Sequence, residues 1–252
     1  RSSMGKSDIK RVLGSIRRAD EKFGMIAPGD RIAIGVSGGK DSLLLLFALS
    51  IYKRFCQKEF SLFAVTVSLG LEPFDTSEVE RFSLSLGIPY TRVESDIGEV
   101  VFHIRREKNP CALCANMRRG AVNSAAKELG CNKVALAHHR DDAIETFLMS
   151  LFFEGRMNTF APVTYLSRQD LTVIRPFIYI PEELIAAVVR EHTFPVVPSP
   201  CPANGKTKRQ DIKELLYTLS LQFPDLHEKL LHALDNTEKY NLWDRYVKKG
   251  QL

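Results

Sequence analysis

The stretch Arg31-Ile-Ala-Ile-Gly-Val-Ser37-Gly38-Gly39-Lys40-Asp41-Ser42 joins a short β-branched run to an apolar segment that continues to Phe55. Its first half reads as a buried strand, its second as the opening of a helix, with a glycine pair at the turn between them. Outward from it the same alternation recurs. Strands are expected at Leu62–Val67, Tyr90–Glu94, Lys133–Ala137 and Leu171–Ile174. Helices are expected at Asp75–Leu86 (closed by Gly87), Cys114–Leu129 (closed by Gly130), Asp141–Phe153 (ending at Gly155) and Pro181–Glu191. Short strands separated by longer helices imply βαβ units, so the fold class is α/β, a doubly wound, Rossmann-like parallel sheet. Ile9, Val12, Leu13 and Ile16 repeat at helical spacing before it, and two further helices follow a Pro-rich stretch. The expected division is a basic helical extension over 1–29, the main domain over 30–200 and a helical segment over 201–252.

Composition bounds the function. The chain has 252 residues, 44% hydrophobic and 26% charged, with a formal charge of +5. That is long enough for a substantial core and too apolar for disorder. Its longest apolar run, Leu43–Leu49, falls far short of the ~20 residues of a membrane span. The three residues before Met4 are set aside, no secretion signal is read, and five unevenly placed cysteines do not make a disulfide scaffold. A cytoplasmic protein without a membrane partner is expected.

The glycine loop carries the sharpest chemistry. Gly38 and Gly39 allow a close ligand approach, and their N–H groups with those of the helix start form a nest for an anion. Ser37 and Ser42 add hydroxyls and Lys40 a charge for phosphate oxygens. Asp41 would repel phosphate, so it suits a divalent cation. The loop is not a Walker A sequence, since Ile34 stands where the first glycine belongs, nor is it Gly-x-Gly-x-x-Gly. The competing reading is a plain strand-to-helix turn capped by Asp41 or Ser42.

Cys111-Ala-Leu-Cys114, with Cys201 far downstream between two prolines, forms a second constellation. Three thiolates suit a [4Fe–4S] cluster with one iron left open. A Cys3His zinc site using a residue such as His103, or a redox dithiol, stays open on spacing alone. Cys56 and Cys131 read as ordinary core residues.

Ser37–Ser42 resembles the SGGxDS signature of the PP-loop (N-type) ATP pyrophosphatases. Ala137-His-His-Arg-Asp-Asp142 with Glu145-Thr146 resembles the second segment of their tRNA-modifying branch. Pro110–Cys114, Met117–Gly120, Leu136–Asp142, Val173–Pro176 and Pro195–Cys201 are similar to the tRNA-cytidine 2-sulfurtransferases. The resemblance implies ATP, Mg2+ and a [4Fe–4S] cluster on Cys111, Cys114 and Cys201. It implies catalytic roles for Lys40, Asp41 and Asp142, with nucleotide contacts from Ser37 to Ser42, His138 and Asp141. Asp141 also reads as a helix N-cap, and Arg175 as a contact to phosphate or RNA. The partners implied are tRNA (an anticodon-loop pyrimidine), a sulfur donor such as a cysteine desulfurase persulfide or free sulfide, and a second copy in a homodimer. A lysidine-type ligase with a structural zinc, or a thiolase acting on uridine, are the alternatives.

Charge placement agrees with an RNA partner. Residues 103–120 hold Arg105, Arg106, Lys108, Arg118 and Arg119 against Glu107, and residues 205–213 hold Lys206, Lys208, Arg209 and Lys213 against Asp211. Basic tracts beside both cysteine segments suit a phosphate backbone. Phe102, Phe160 and Tyr165 are candidates to stack an unpaired base.

Overall fold

Ile32 and Ile34 alternate with Ala33, and the pleat sends them to opposite faces of a strand buried on both. In the computed structural model that strand, β1 (Arg31–Gly35), is the centre of the molecule. The structure describes residues 4–105, 110–201, 207–236, 238 and 240–243. Arg106, Glu107, Lys108 and Lys206 of the basic tracts therefore lie outside the described residues, as do Asn109 and Pro202.

β1 pairs in parallel with β2 (Ser61–Val67) on one side and with β4 (Lys133–Ala135) on the other. β3 (Tyr90–Val93) extends the sheet beyond β2, and β6 (Leu171–Ile174) beyond β4. A strand not foreseen from the sequence, β5 (Val163–Leu166), pairs antiparallel with β6 and closes the edge, giving the order β3-β2-β1-β4-β6-β5. β5 lacks the clean apolar alternation of the others because it is an edge strand: Tyr165 is exposed and bonds Asp170 across the turn. The mostly parallel α/β sheet is otherwise the expected one.

Helices cover both faces. α1 (Met4–Phe23), α2 (Lys40–Phe55) and α7 (Glu182–His192) lie on the Ile32/Ile34 face, where Val12, Ile16, Leu43–Leu46 and Ile185 form one core. α5 (Pro110–Glu128) lies on the Ala33 face, with Ala125 and Ala126 against Val65 and Val134. It starts at Pro110, four residues earlier than expected, because a proline is well tolerated in a helix's first turn. α3 (Ser77–Ser85) leads into β3, and α4 (Ile97–Glu99) runs on into a π-helical turn (Val100–Ile104) ahead of α5. α6 (Arg140–Glu154) follows β4, and Ile144 and Leu148 pack on Ile212 and Leu216 of α8 (Lys208–Gln222), with α9 (Leu226–Asp235) alongside. Cys131 is buried in the second core and Cys56 packs against the first, as expected of background cysteines. No described helix is long and apolar enough to cross a membrane.

One buried carboxylate ties α1 to this core. Asp20, 1% exposed, accepts hydrogen bonds from the Ile26 N–H (2.9 Å), the Tyr52 hydroxyl (2.6 Å) and the Lys58 ammonium (2.9 Å). Replacing Asp20 with Ala leaves those donors facing a void, so urea denaturation should show a loss of about 3 kcal/mol.

Candidate active site

The chain leaves β1 for β2 and leaves β4 for the opposite edge, so a crevice opens at the carboxyl ends of the two neighbouring strands. In open α/β sheets ligands bind at such a switch point. The glycine loop follows β1 and the His138-His139 pair follows β4, so the topology brings the two sequence motifs face to face. Between them lies a cavity of about 750 Å3. Ser37, Asp41, Ser42, His138 and Asp142 line it together with Arg118, Arg119, Arg175 and Arg209, four guanidinium groups against two carboxylates. That balance suits a polyphosphate or nucleic-acid ligand.

Gly38 takes a φ of +89°, a region costly for residues with a Cβ. A Cβ there would sit 3.2 Å from the Cβ of Val197, and the Gly38 carbonyl accepts the Val197 N–H at 2.9 Å. The Pro-rich segment is thus seated on the loop, four residues before Cys201. Gly39 is the N-cap of α2 in extended conformation, with no side-chain cap. The capping by Asp41 or Ser42 of the competing reading is therefore not what forms. Ser42 instead accepts the Ser37 N–H at 3.1 Å, and its hydroxyl lies 3.1 Å from the Gly39 carbonyl and 3.2 Å from the Ser37 hydroxyl.

The second motif is organised by His139, whose side chain is 3% exposed. It caps α6 reciprocally: the Asp142 N–H donates to His139 Nδ1 (3.3 Å), and the His139 N–H donates to Asp142 Oδ2 (2.9 Å). With Nδ1 accepting, the ring proton belongs on Nε2, which faces Asp41 Oδ2 at 3.5 Å and Asp142 Oδ2 at 3.4 Å. Burial disfavours the imidazolium, but the Asp41 hydrogen bond and the surrounding carboxylates outweigh it and raise its pKa. Burial likewise opposes ionisation of Asp41, yet His139 and Lys40 hold its carboxyl below the usual range. At Asp142 burial prevails and the pKa is raised.

Asp141 plays a different part from the one expected. It does not cap its own helix; its Oδ2 accepts the Glu182 N–H at 2.8 Å, capping α7, and its Oδ1 lies 3.4 Å from Arg140 and 3.6 Å from His227. The Lys40 ammonium is held by Asp41 (2.7 Å) and Glu182 (3.3 Å). The second basic tract is partly absorbed inside. Arg209 bonds Glu145 (3.3 Å) and Thr146 (3.0 Å), and Lys213 bonds Glu182 (2.9 Å). Burial pushes Glu145, 2% exposed, up to about 7 despite Arg209.

His138 faces the cavity beside Phe160 (ring centroids 5.1 Å apart), and the Arg175 guanidinium lies over that ring at 5.0 Å. Arg175 donates to His138 Nδ1 at 3.3 Å and to the Ala161 carbonyl at 2.7 Å. Burial, then the charges of Arg175, Arg119 and Arg209, lower His138 to about 4. Of the three aromatic candidates Phe160 alone lines this cavity; Phe102 packs in a core cluster and Tyr165 sits on the β5 edge.

Cys111 is exposed and Cys114 buried, both in the first turn of α5, and Cys201 is half-buried. The Cys114 thiol is pushed up by burial, drawn down by Arg118, and raised again by Cys201 and Cys111. Among the described residues no three His, Cys, Asp or Glu side chains already converge as a metal site, and His103 is exposed on the π-helical turn.

Residues 11–218 match the PP-loop domain family. A tRNA-cytidine(32) 2-sulfurtransferase of Geobacter sulfurreducens is 37% identical over 238 residues, which is 93% of this chain and 93% of that one. Another, from Pelobacter propionicus, is 37% identical over 242 residues, 95% of this chain and 90% of that one. The chain belongs to the PP-loop family, in its tRNA-cytidine 2-sulfurtransferase branch. Among solved structures, the U34-tRNA thiolase NcsA from Methanococcus maripaludis, solved with its [4Fe-4S] cluster, shares this PP-loop fold. Its TM-score is 0.75 at 22% identity, covering 94% of this chain and 81% of that one.

The second motif contains His139, to which its residue pattern assigns no role, and nothing local marks Glu182, whose partners sit on α2, α6 and α8. Arg209 appears in the sequence only as part of a charge tract.

Two expectations follow. Gly38→Ala should cost about 1–3 kcal/mol in chemical denaturation, since it strains φ and displaces Val197, whereas Gly39→Ala should cost less than about 1 kcal/mol. His138 should stay neutral in NMR titration until the pH nears its value of about 4, against 6.5 for an ordinary histidine. The unfolded chain takes that proton first, so this group erodes stability as pH falls from 6.5 towards 4, by at most about 1.4 kcal/mol per unit. His138→Gln should flatten that acid slope.

Proposed function

We propose that the protein is an ATP-dependent tRNA 2-sulfurtransferase that replaces the C2 oxygen of a cytidine in the tRNA anticodon loop with sulfur. The observation that supports this most directly is the seating of Val197 on Gly38, which carries the Cys201 segment to the nucleotide loop. α5 brings Cys111 and Cys114 from the other side and lines the same cavity with Arg118 and Arg119.

Three thiols fit a [4Fe–4S] cluster by their donor chemistry, and the amino-terminal end of α5 favours the anionic assembly. Such a cluster would be held by Cys111, Cys114 and Cys201, with one iron free of a protein ligand, and would supply hydrosulfide for transfer. Asp41 and Asp142, both turned to the cavity and spanned by His139, suit a Mg2+ that also takes phosphate oxygens of ATP.

The base's C2 oxygen attacks the α-phosphorus of ATP, and pyrophosphate leaves into the nest of Gly38, Gly39 and the start of α2. Lys40 and the arginines of the cavity offset the charge that builds on the phosphates. Activation makes the base cationic and opens C2 to hydrosulfide, and the Asp142 carboxylate, which lines the cavity, takes the proton that the S–H loses. Hydrosulfide then bonds to C2, the C–O bond breaks, and AMP departs with the original oxygen. His138, neutral with its free proton on Nε2, donates a hydrogen bond into the cavity, and Phe160 offers a face to a splayed base. Free sulfide supplies the sulfur directly, and a persulfide from a cysteine desulfurase does so once a thiol reductant has cleaved its S–S bond and released hydrosulfide. The protein works in the reducing cytoplasm, as an exposed cluster requires, and as a homodimer.

Mass spectrometry of nucleosides from tRNA tests this. Deleting the gene should remove 2-thiocytidine and leave the other thio-nucleosides. Cys111→Ser, Cys114→Ser and Cys201→Ser should each fail to restore it while the purified variants still bind ATP. Loss of 2-thiouridine instead would overturn the substrate assignment, and a colourless protein with stoichiometric zinc would overturn the cluster.

A further inference from the structure

Lys40 stands on the border between two cavities. Ser37, Asp41 and Ser42 of the glycine loop line the one already described, but Lys40 lines the other, of about 990 Å3, which opens among α6, α7, α8 and α9. What keeps the ammonium there is Glu182, 3.3 Å away, together with the adjacent Asp41. Glu182 is not a passing partner. Its N–H is bound by Asp141, which fixes the first turn of α7, and its carboxylate also reaches Lys213 of α8 at 3.1 Å through Oε1 and 2.9 Å through Oε2. One carboxylate therefore bridges the lysine of the phosphate loop and a second lysine from a helix more than 150 residues away in the chain.

We infer that Glu182 is a positioning residue, the resident counter-ion of Lys40, which holds the loop lysine until a triphosphate arrives, then releases it and stays paired with Lys213. The inference rests on the nucleotide reading of the loop and adds to it a competition inside the protein. An ammonium has three donors; two point at carboxylates here and one is left for a phosphate, so the lysine turns its full charge on a triphosphate only by letting one carboxylate go. Asp41 is the adjacent residue and is held by His139 as well, so Glu182 is the partner that can be given up. Giving it up would strand a half-buried carboxylate, at a cost in free energy, unless another cation stays beside it. Lys213 is that cation. The pairing is strong enough to outweigh burial at all three groups: Lys40 and Lys213 are held above the ordinary lysine range and Glu182 below that of a carboxylate.

The consequence is a pair of opposite effects with a specific dependence between them. Removing the Glu182 charge frees Lys40, so ATP binds more tightly. Removing the Lys213 charge leaves Glu182 with Lys40 alone, so ATP binds more weakly. Because the Lys213 ammonium bonds Glu182 and not Lys40, its loss should have little further effect once Glu182 is gone.

Calorimetric titration of ATP with Mg2+ into the holoprotein, without tRNA, reads this directly. Glu182→Gln should lower the Kd roughly three- to tenfold, Lys213→Met should raise it by a similar factor, and the double variant should match Glu182→Gln alone. Lys213→Arg should bind as the parent does. Glu183→Gln, at a neighbouring carboxylate that lines the same cavity without bonding Lys40, should leave the Kd unchanged. Weaker or unaltered binding in Glu182→Gln, a double variant at the sum of the singles, or equal tightening in Glu183→Gln would each overturn the inference. If Glu182→Gln does not fold, as judged by its melting curve, the contrast between Lys213→Met and Lys213→Arg decides alone: weakening in the first and not the second supports it, and no difference overturns it. Failure of the parent protein to bind ATP would instead refute the nucleotide reading of the loop.

Discussion

Everything at the active site depends on one constraint of sheet topology: β1 and β4 are neighbours, and the chain leaves them in opposite directions. Had β4 joined the sheet at its edge, the glycine loop and the two histidines would lie at separate places. Because β4 sits beside β1, the turns that follow both strands share one crevice, and the helices that start there, α2 and α6, aim their amino-terminal N–H groups into it. The same constraint decides which residues can be polar. Ile32, Ile34 and Val134 are wholly buried under helices, so functional groups occur only past the strand ends.

That crevice is electrostatically strained in a controlled way. Two carboxylates, Asp41 and Asp142, project towards a cavity rimmed by arginines, and a single buried imidazole spans them. Leaving both carboxylates ionised at close quarters without a partner would be costly, and the His139 imidazole between them offsets part of that cost. The neighbouring histidine shows how environment rather than residue type sets behaviour. His138 faces Arg175, Arg119 and Arg209 and is lowered to about 4, whereas His139 faces carboxylates and is raised. Adjacent in sequence, the two have opposite charge preferences.

The parts of this picture that were legible in the sequence are those whose cause is local. A glycine pair between a strand and a helix has to be a turn, and Gly38 duly takes a positive φ; a Cys-x-x-Cys brings two thiols together whatever surrounds it. Periodicity likewise yielded the parallel sheet. What could not be read has non-local causes. Asp141 caps α7 instead of its own helix because Glu182 arrives from 41 residues away, and His139 takes the cap because its imidazole can reach the Asp142 N–H. The tract at 205–213 looked like a surface for RNA, yet Arg209 and Lys213 turn inward to Glu145 and Glu182, acids whose placement only the packing of α8 on α6 and α7 determines. β5 escaped because an edge strand need bury only one face and so carries a weak pattern.

α5 shows how few structural degrees of freedom separate the two chemistries. Cys111, Cys114, Ala115, Arg118, Arg119 and Val122 fall at helical spacing along one side of it, and Ala115 to Val122 all line the nucleotide cavity. At 1.5 Å per residue, Cys114 and Arg118 are about 6 Å apart along the axis, one turn of helix. The other cysteine segment is tied as closely, since Val197 rests on Gly38 itself. A sulfur centre built on these residues therefore has its position fixed relative to the phosphate site by a rigid helix on one side and a backbone hydrogen bond on the other. In the proposed reaction the oxygen that is activated and the carbon that takes the sulfur are bonded to each other, so the two cysteine segments would gain by sharing the walls of one cavity.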